Sequence, residues 1–182
     1  GSALGTWLRG LCTPALDGRC TAPETHIPVY FVSTEGGGIR AAAWTAFVLE
    51  RLASADRDFL ARTFSISGVS GGAVGAAVFR ACDLEASASK HPPAREACLN
   101  RFAQTDLLAP LLSAWLFEDV VARVVPTYPC TTPGCGVLSR GAWFEQALEQ
   151  GAPYLRKGLH QTTGGKTGAH SPYLLLNATW VE

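Results

Sequence analysis

Apolar and polar positions along this 182-residue chain follow two rhythms, one of strands and one of helices. From Ile27 to Thr34 the run I-P-V-Y-F-V-S-T is β-branched and aromatic at both parities and stops at three glycines, which predicts a strand covered on both faces. Between Ile39 and Ala53 the apolar residues Ala42, Ala46, Leu49 and Leu52 recur at three- and four-residue steps, flanked by Arg40, Glu50 and Arg51. That spacing predicts a helix. Thr63 to Ser67 (T-F-S-I-S) reads as a second strand, again ending in a glycine turn that opens into a small-residue helix over Ala73 to Ala81. Strand, glycine turn and helix, given twice, is the pattern of parallel βαβ packing. The expected fold class is therefore α/β with a mainly parallel sheet.

Beyond Cys82 helices are expected over Ala94 to Gln104, Asp106 to Val125 and Arg140 to Gln150. Pro110 falls in the first turn of the second of these, where its missing N–H is tolerated. Pro126 to Gly136 and the glycine- and threonine-rich Gly158 to Gly168 read as loops, and Pro172 to Val181 as a third strand. Within this scheme residues 1–26 form an aperiodic N-terminal arm and residues 27–182 the α/β domain. Gly1-Ser2, in a chain without methionine, reads as a tag-removal scar and is set aside. The chain stops at Val181-Glu182 as a strand would be finishing, which suits truncation at the C-terminus as well as a natural end.

A 47% hydrophobic composition with 16% charged residues excludes a disordered chain. Fifteen basic side chains balance 15 acidic ones, so the stripe of positive charge that nucleic acid demands is missing, and no nucleic-acid partner is expected. No apolar run reaches the roughly 18 to 20 residues that span a bilayer. Leu107 to Phe117 comes nearest, with only Ser113 polar; a helix packed in the core is the expected role, and peripheral docking on a lipid surface the alternative.

The six cysteines fall as close pairs, Cys12 with Cys20, Cys82 with Cys98 and Cys130 with Cys135. Short local disulfides in an oxidising, extracytoplasmic compartment (periplasmic, secreted, or a domain of a larger exported protein) are the expectation, with reduced thiols as the competing one. Nearest-neighbour pairing is the simplest of the connectivities allowed. A zinc site is not expected: there is no C-x2-C pair, and the four histidines stand apart from the cysteines.

Two glycine-rich corners carry the chemistry. Gly68-Val69-Ser70-Gly71-Gly72 fits G-x-S-x-G and lies between a strand and a small-residue helix, where a tight turn projects the serine hydroxyl toward the positive end of that helix. Glu35-Gly36-Gly37-Gly38-Ile39-Arg40 lies at the equivalent place after the preceding strand, and its successive glycines leave backbone N–H groups able to converge on an anion. A nucleophile paired with amides aimed at developing negative charge is what acyl transfer requires.

G-G-G-I-R-A opening a helix, followed about thirty residues later by S-G-V-S-G-G-A, resembles the patatin-like phospholipase family of bacterial lipid acyl hydrolases. The likeness runs through most of the chain after Ile27, and P-Y-L-L-L-N-A-T around Asn177 is similar to a stretch downstream of the elbow in bacterial members. The resemblance implies a three-layer α/β fold, lipid ester substrates and no metal or organic cofactor. It implies Ser70 as nucleophile, Gly37, Gly38 and Gly71 as oxyanion hole, and Arg40 as a residue that holds the loop or the lipid phosphate. It also implies a Ser-Asp dyad in place of a triad.

The chain departs from that pattern at Glu35, where many members carry Asp, and at Ala41, commonly Gly. A larger departure is the base: the family's aspartate sits in a downstream D-G-G or D-G-A, and the sole Asp-Gly here, Asp17-Gly18, precedes the elbow. The aspartate nearest the C-terminus is Asp119, inside a predicted helix. The 182 residues are therefore expected to carry nucleophile and oxyanion hole without the base, which a missing C-terminal segment or a second chain would supply. A non-catalytic binder of anionic headgroups, using the glycine loop and Arg40, is the competing function. A triad through His170 is a further alternative. Gly164-Gly165-Lys166-Thr167 fails as a P-loop because His160 occupies the position of the required leading glycine. Asn177-Ala178-Thr179 satisfies a glycosylation sequon, but a paired or buried asparagine in a strand is the expectation.

Overall fold

The computed structural model describes residues 2–11, 28–88, 94–119, 124, 140–157 and 171–177. Among these residues three strands, β1 (Tyr30–Thr34), β2 (Thr63–Val69) and β3 (Tyr173–Asn177), form one parallel sheet in the order β1-β2-β3. Helix α1 (Ala3–Gly10) precedes it, and α2 (Gly38–Ala55) with the short α3 (Phe59–Arg62) connects β1 to β2. Helix α4 (Gly71–Ala88) leaves β2 directly. The chain is thus α/β, as the repeated strand, glycine turn and helix predicts. By contact it divides into two units, Gly1–Arg80 with Lys157–Glu182 and Ala81–Arg156, and the boundary falls inside α4.

In the first unit the register lines up the side chains of one face of the sheet. Val32, Ile66 and Leu174 align on one row, and Thr34, Gly68 and Leu176 on another, all buried or half-buried. Between Tyr30 and Phe31 the register shifts by one residue, because Tyr30 pairs with Thr63 and Phe31 with Ser65. The extra residue, Phe64, brings its ring 5.5 Å from Phe31 and 5.2 Å from Tyr173. Such a bulge re-aims a side chain at the cost of one ladder position. Only β2 is buried along most of its length. β1 alternates, with Phe31 61% exposed, so the strand expected to be covered on both faces is covered on one. Among the described residues β1 has a neighbouring strand only on its β2 side, which leaves its outward side chains at the rim.

The N-terminal arm corrects a second expectation. Ala3–Gly10 is helical, and Trp7 is 4% exposed, its ring edge-on to Phe64 at 5.2 Å. Ser2, set aside as a scar, closes the helix: its hydroxyl accepts the Gly5 N–H at 3.2 Å and its carbonyl accepts the Thr6 N–H at 3.1 Å. Eight residues are too few to be helical on propensity alone, so aromatic packing holds this turn.

In the second unit α5 (Ala94–Gln104) has the predicted bounds and is tied to the last turns of α4 by a Cys82–Cys98 disulfide. Arg95 pairs with Asp83 at 3.0 Å and Arg101 with Glu85 at 2.8 Å between the same two helices. Helix α7 (Arg140–Gly151) packs on α5, where Leu99, Phe102 and Ala147 are buried, and Arg101 Nε donates to the Gly151 carbonyl at 3.0 Å. Of the helix expected over 106–125, the described residues show a later start and a change of winding. The Asp106 carboxylate accepts the N–H groups of Leu108 and Ala109, both at 3.0 Å, so α6 starts at Leu108 and runs to Ser113, where it widens into a π-helical turn, Ala114–Asp119. A core role for this segment does not hold either. Leu107 and Ala114 are buried, but Leu108, Leu112, Trp115, Leu116 and Phe117 are all exposed. The Cys12/Cys20 and Cys130/Cys135 pairs, Asp17, both predicted loops, His160 and His170 lie outside the described residues.

Replacing both Cys82 and Cys98 by Ala should lower unfolding free energy by about 3 kcal/mol, the chain-entropy value for a loop closed over 16 residues. Urea denaturation measures the loss, and a non-reducing peptide map should show the 82–98 cross-link.

Candidate active site

The elbow is built by the end of β2 meeting the start of α4 with no intervening loop. Ser70 occupies that junction with φ 52°, and among the described residues it is the one non-glycine with a positive φ. A side chain in that region costs about 1 to 2 kcal/mol, so the surrounding structure must enforce it. The Ser70 carbonyl accepts the Val74 N–H at 3.1 Å, which starts α4, and the side chain is exposed.

The second corner follows β1. Gly37 has φ 140° and Gly38 φ 64°, and α2 opens at Gly38 with Gly37 as its cap and without a side-chain hydrogen bond to close it. The first N–H groups of a helix have no intrahelical acceptors, and the cap residue here, a glycine, has no side chain to supply one. Thr34 pairs with Gly68 in the parallel ladder, so both corners leave the sheet at its carboxyl edge.

Contacts at the glycines show how closely the corners meet. A Cβ on Gly36 would lie 3.1 Å from Ser70 Cβ and 3.5 Å from Ser70 Oγ. One on Gly71 would overlap the Gly38 carbonyl oxygen and sit 3.0 Å from the Gly38 nitrogen, while one on Gly72 would meet the Glu35 oxygen at 2.5 Å. Further along, a Cβ on Gly75 would strike the Ala42 carbonyl of α2. The four glycines let the first turns of α4 lie against the loop and α2 at backbone distance. Ser70, Gly38 and Gly71 are therefore assembled in one place, at the positive ends of two helices. Gly37 immediately precedes Gly38 in that loop, and Arg40 stands exposed in the first turn of α2.

Two side chains absent from the sequence-based site lace the strand behind the serine. The Thr34 hydroxyl donates to the Ser67 carbonyl at 3.3 Å from one side. From the other, Asn177 Nδ2 donates to Ser67 Oγ at 3.1 Å and to the Gly68 carbonyl at 3.3 Å. The asparagine is thus paired, as expected for a strand residue, through the nitrogen a glycan would need. Its sequence signal was only the lone polar residue ending an apolar run.

Among the described residues, which include none of the four histidines, no carboxylate hydrogen-bonds Ser70, and no cluster of His, Cys, Asp and Glu is arranged to hold a metal ion. Asp119 falls in the second unit, in the π-helical turn. A cavity of about 580 Å³ in that unit, walled by Trp143 with Asp106, Ser113 and Gln150, contains none of the candidate residues. Scans of protein-family models, of curated proteins and of solved structures return no match to this chain.

Substitution at the two glycines Gly38 and Gly71 should separate strain from collision. Gly38→Ala meets nothing within 4 Å and should cost only the left-handed penalty of about 1 to 2 kcal/mol. Alanine in a helix is ordinarily favoured over glycine by about 1 kcal/mol. Gly71→Ala should instead destabilise by about 3 kcal/mol or more, because its Cβ meets rigid backbone. Urea midpoints of the two variants measure the contrast.

Proposed function

We propose that this chain carries the nucleophile and oxyanion hole of a serine lipid acyl hydrolase of the patatin-like, phospholipase A type. The observation that carries the reading is Ser70 in a left-handed turn against Gly36, with Gly71 abutting the opening residue of α2. In this reading Ser70 Oγ attacks the ester carbonyl carbon, its proton passes to a base, and the carbonyl oxygen takes the negative charge. The N–H groups of Gly37, Gly38 and Gly71 receive that charge, worth about 3 to 4 kcal/mol per donor in other acyl transferring enzymes. The alcohol then leaves with a proton, and water releases the acyl group from Ser70. Arg40, exposed beside the loop, holds the substrate phosphate.

The base belongs to the same proposal: an aspartate from a further segment or a second chain, completing a three-layer fold. No cofactor enters this chemistry. The Cys82–Cys98 bridge supports extracytoplasmic placement. Among the described residues no helix is long and apolar enough to cross a membrane. Leu108, Leu112, Trp115 and Leu116 recur at helical steps on an exposed, uncharged face, which suits peripheral contact with lipid.

A fluorophosphonate tests the nucleophile. Serine oxygen bonds to phosphorus, fluoride leaves and the proton goes to solvent, so one slow turnover suffices. Labelling should map to Ser70 and vanish in Ser70→Ala, while ester turnover by these 182 residues stays low until the aspartate is supplied. An inert Ser70 with phospholipid-headgroup affinity lost in Arg40→Ala would favour the binding module instead. Trp115→Ala with Leu116→Glu should cut co-sedimentation with zwitterionic vesicles several-fold, with little dependence on salt, since Leu107 to Phe117 bears no charge.

A further inference from the structure

The nucleophile reading leaves open what keeps a strained serine in place, and Asn177 lies where that question is decided. It ends β3 opposite Val69, the residue immediately before Ser70. Its amide nitrogen reaches two acceptors on β2, Ser67 Oγ at 3.1 Å and the Gly68 carbonyl at 3.3 Å. A carbonyl can only accept, which fixes the amide with its nitrogen toward β2. Gly68 itself has no slack, since a Cβ there would meet Ala73 Cα at 2.5 Å. Pulling on the Gly68 carbonyl therefore acts on the peptide that leads into the elbow.

We propose that Asn177 is the positioning residue of the elbow, acting through Gly68 and Ser67 to hold Ser70 at the angle in which its hydroxyl reacts. This inference rests on the nucleophile reading and adds to it a residue that touches neither substrate nor the reacting oxygen. Two properties follow from the geometry. The donor must be an N–H or O–H, because both partners present oxygen lone pairs. A carboxylate of the same shape must then do harm, since it faces the Gly68 carbonyl with like partial charge.

The test compares wild type, Asn177→Ala and Asn177→Asp by the rate of fluorophosphonate labelling at Ser70 between pH 4 and 8, with thermal midpoints in parallel. Asn177→Ala should label about tenfold more slowly. Asn177→Asp supplies a donor only while protonated, which at pH 4 is about half of the molecules, so its rate relative to wild type at the same pH should be about one half at the acid end. That ratio should fall toward the alanine value as the carboxyl ionises, above its ordinary pKa of about 4. A general loss of folding gives no such pH-dependent rescue, and the aspartate variant serves if the alanine variant does not fold. Labelling as fast as wild type in both variants, or a ratio for Asn177→Asp that is flat with pH, overturns the positioning role and leaves the nucleophile reading intact. A wild-type chain unlabelled throughout overturns the nucleophile reading, and the positioning role with it.

Discussion

The approach of two backbones, at Gly38 and Gly71, is the constraint on which the candidate site depends. No side chain fits between them, as the overlap of a Gly71 Cβ with the Gly38 carbonyl shows. Parallel pairing of Thr34 with Gly68 sends both turns off the same sheet edge, and the missing side chains at Gly36, Gly71, Gly72 and Gly75 then let the turns meet. A Cβ at Gly71 or Gly72 would push α4 away from the loop by a contact with backbone, one at Gly75 would push it from α2, and one at Gly36 would crowd Ser70 itself. The helix starts and the serine would no longer share one place.

That arrangement stores two unfavourable terms side by side. Ser70 sits in a conformation that L residues avoid, and the first turn of α2 has no side-chain cap for its N–H groups. Hydrogen bonds from Thr34 and Asn177 stiffen the strand feeding the serine, and the Val74 N–H bonds the Ser70 carbonyl behind it. Amides without acceptors at a helix start are free to serve an external anion. Strain and open donors in one corner are what a site for developing negative charge needs.

The second unit is held by different means. A disulfide and two ion pairs join α4 to α5, with Leu99 and Phe102 buried beneath. Arg101 is about half exposed, so its pair with Glu85 adds little, and the covalent link with apolar burial does most of the holding. This leaves the π-helical turn after α6 free to present Trp115, Leu116 and Phe117 outward without loss of the core.

Much of this was legible in residue order. The three- and four-residue spacing from Ala42 to Leu52 located α2, the β-branched runs located β1 and β2, and glycines at both strand ends marked the two corners. Those features are local: periodicity reports which face a segment buries, and a glycine reports where the backbone must turn or be approached. Other features depend on residues distant in sequence. Helix α1 exists through Trp7 against Phe64, the Asp106 carboxylate moved the start of α6, and Asn177 reaches β2 across more than a hundred residues. Sequence by itself determined the α/β alternation and the two glycine turns, because propensity and steric permission act within a few residues. Only the tertiary structure decided that the turns meet and which side chains lace them, because that depends on strand order and register, which no local pattern encodes.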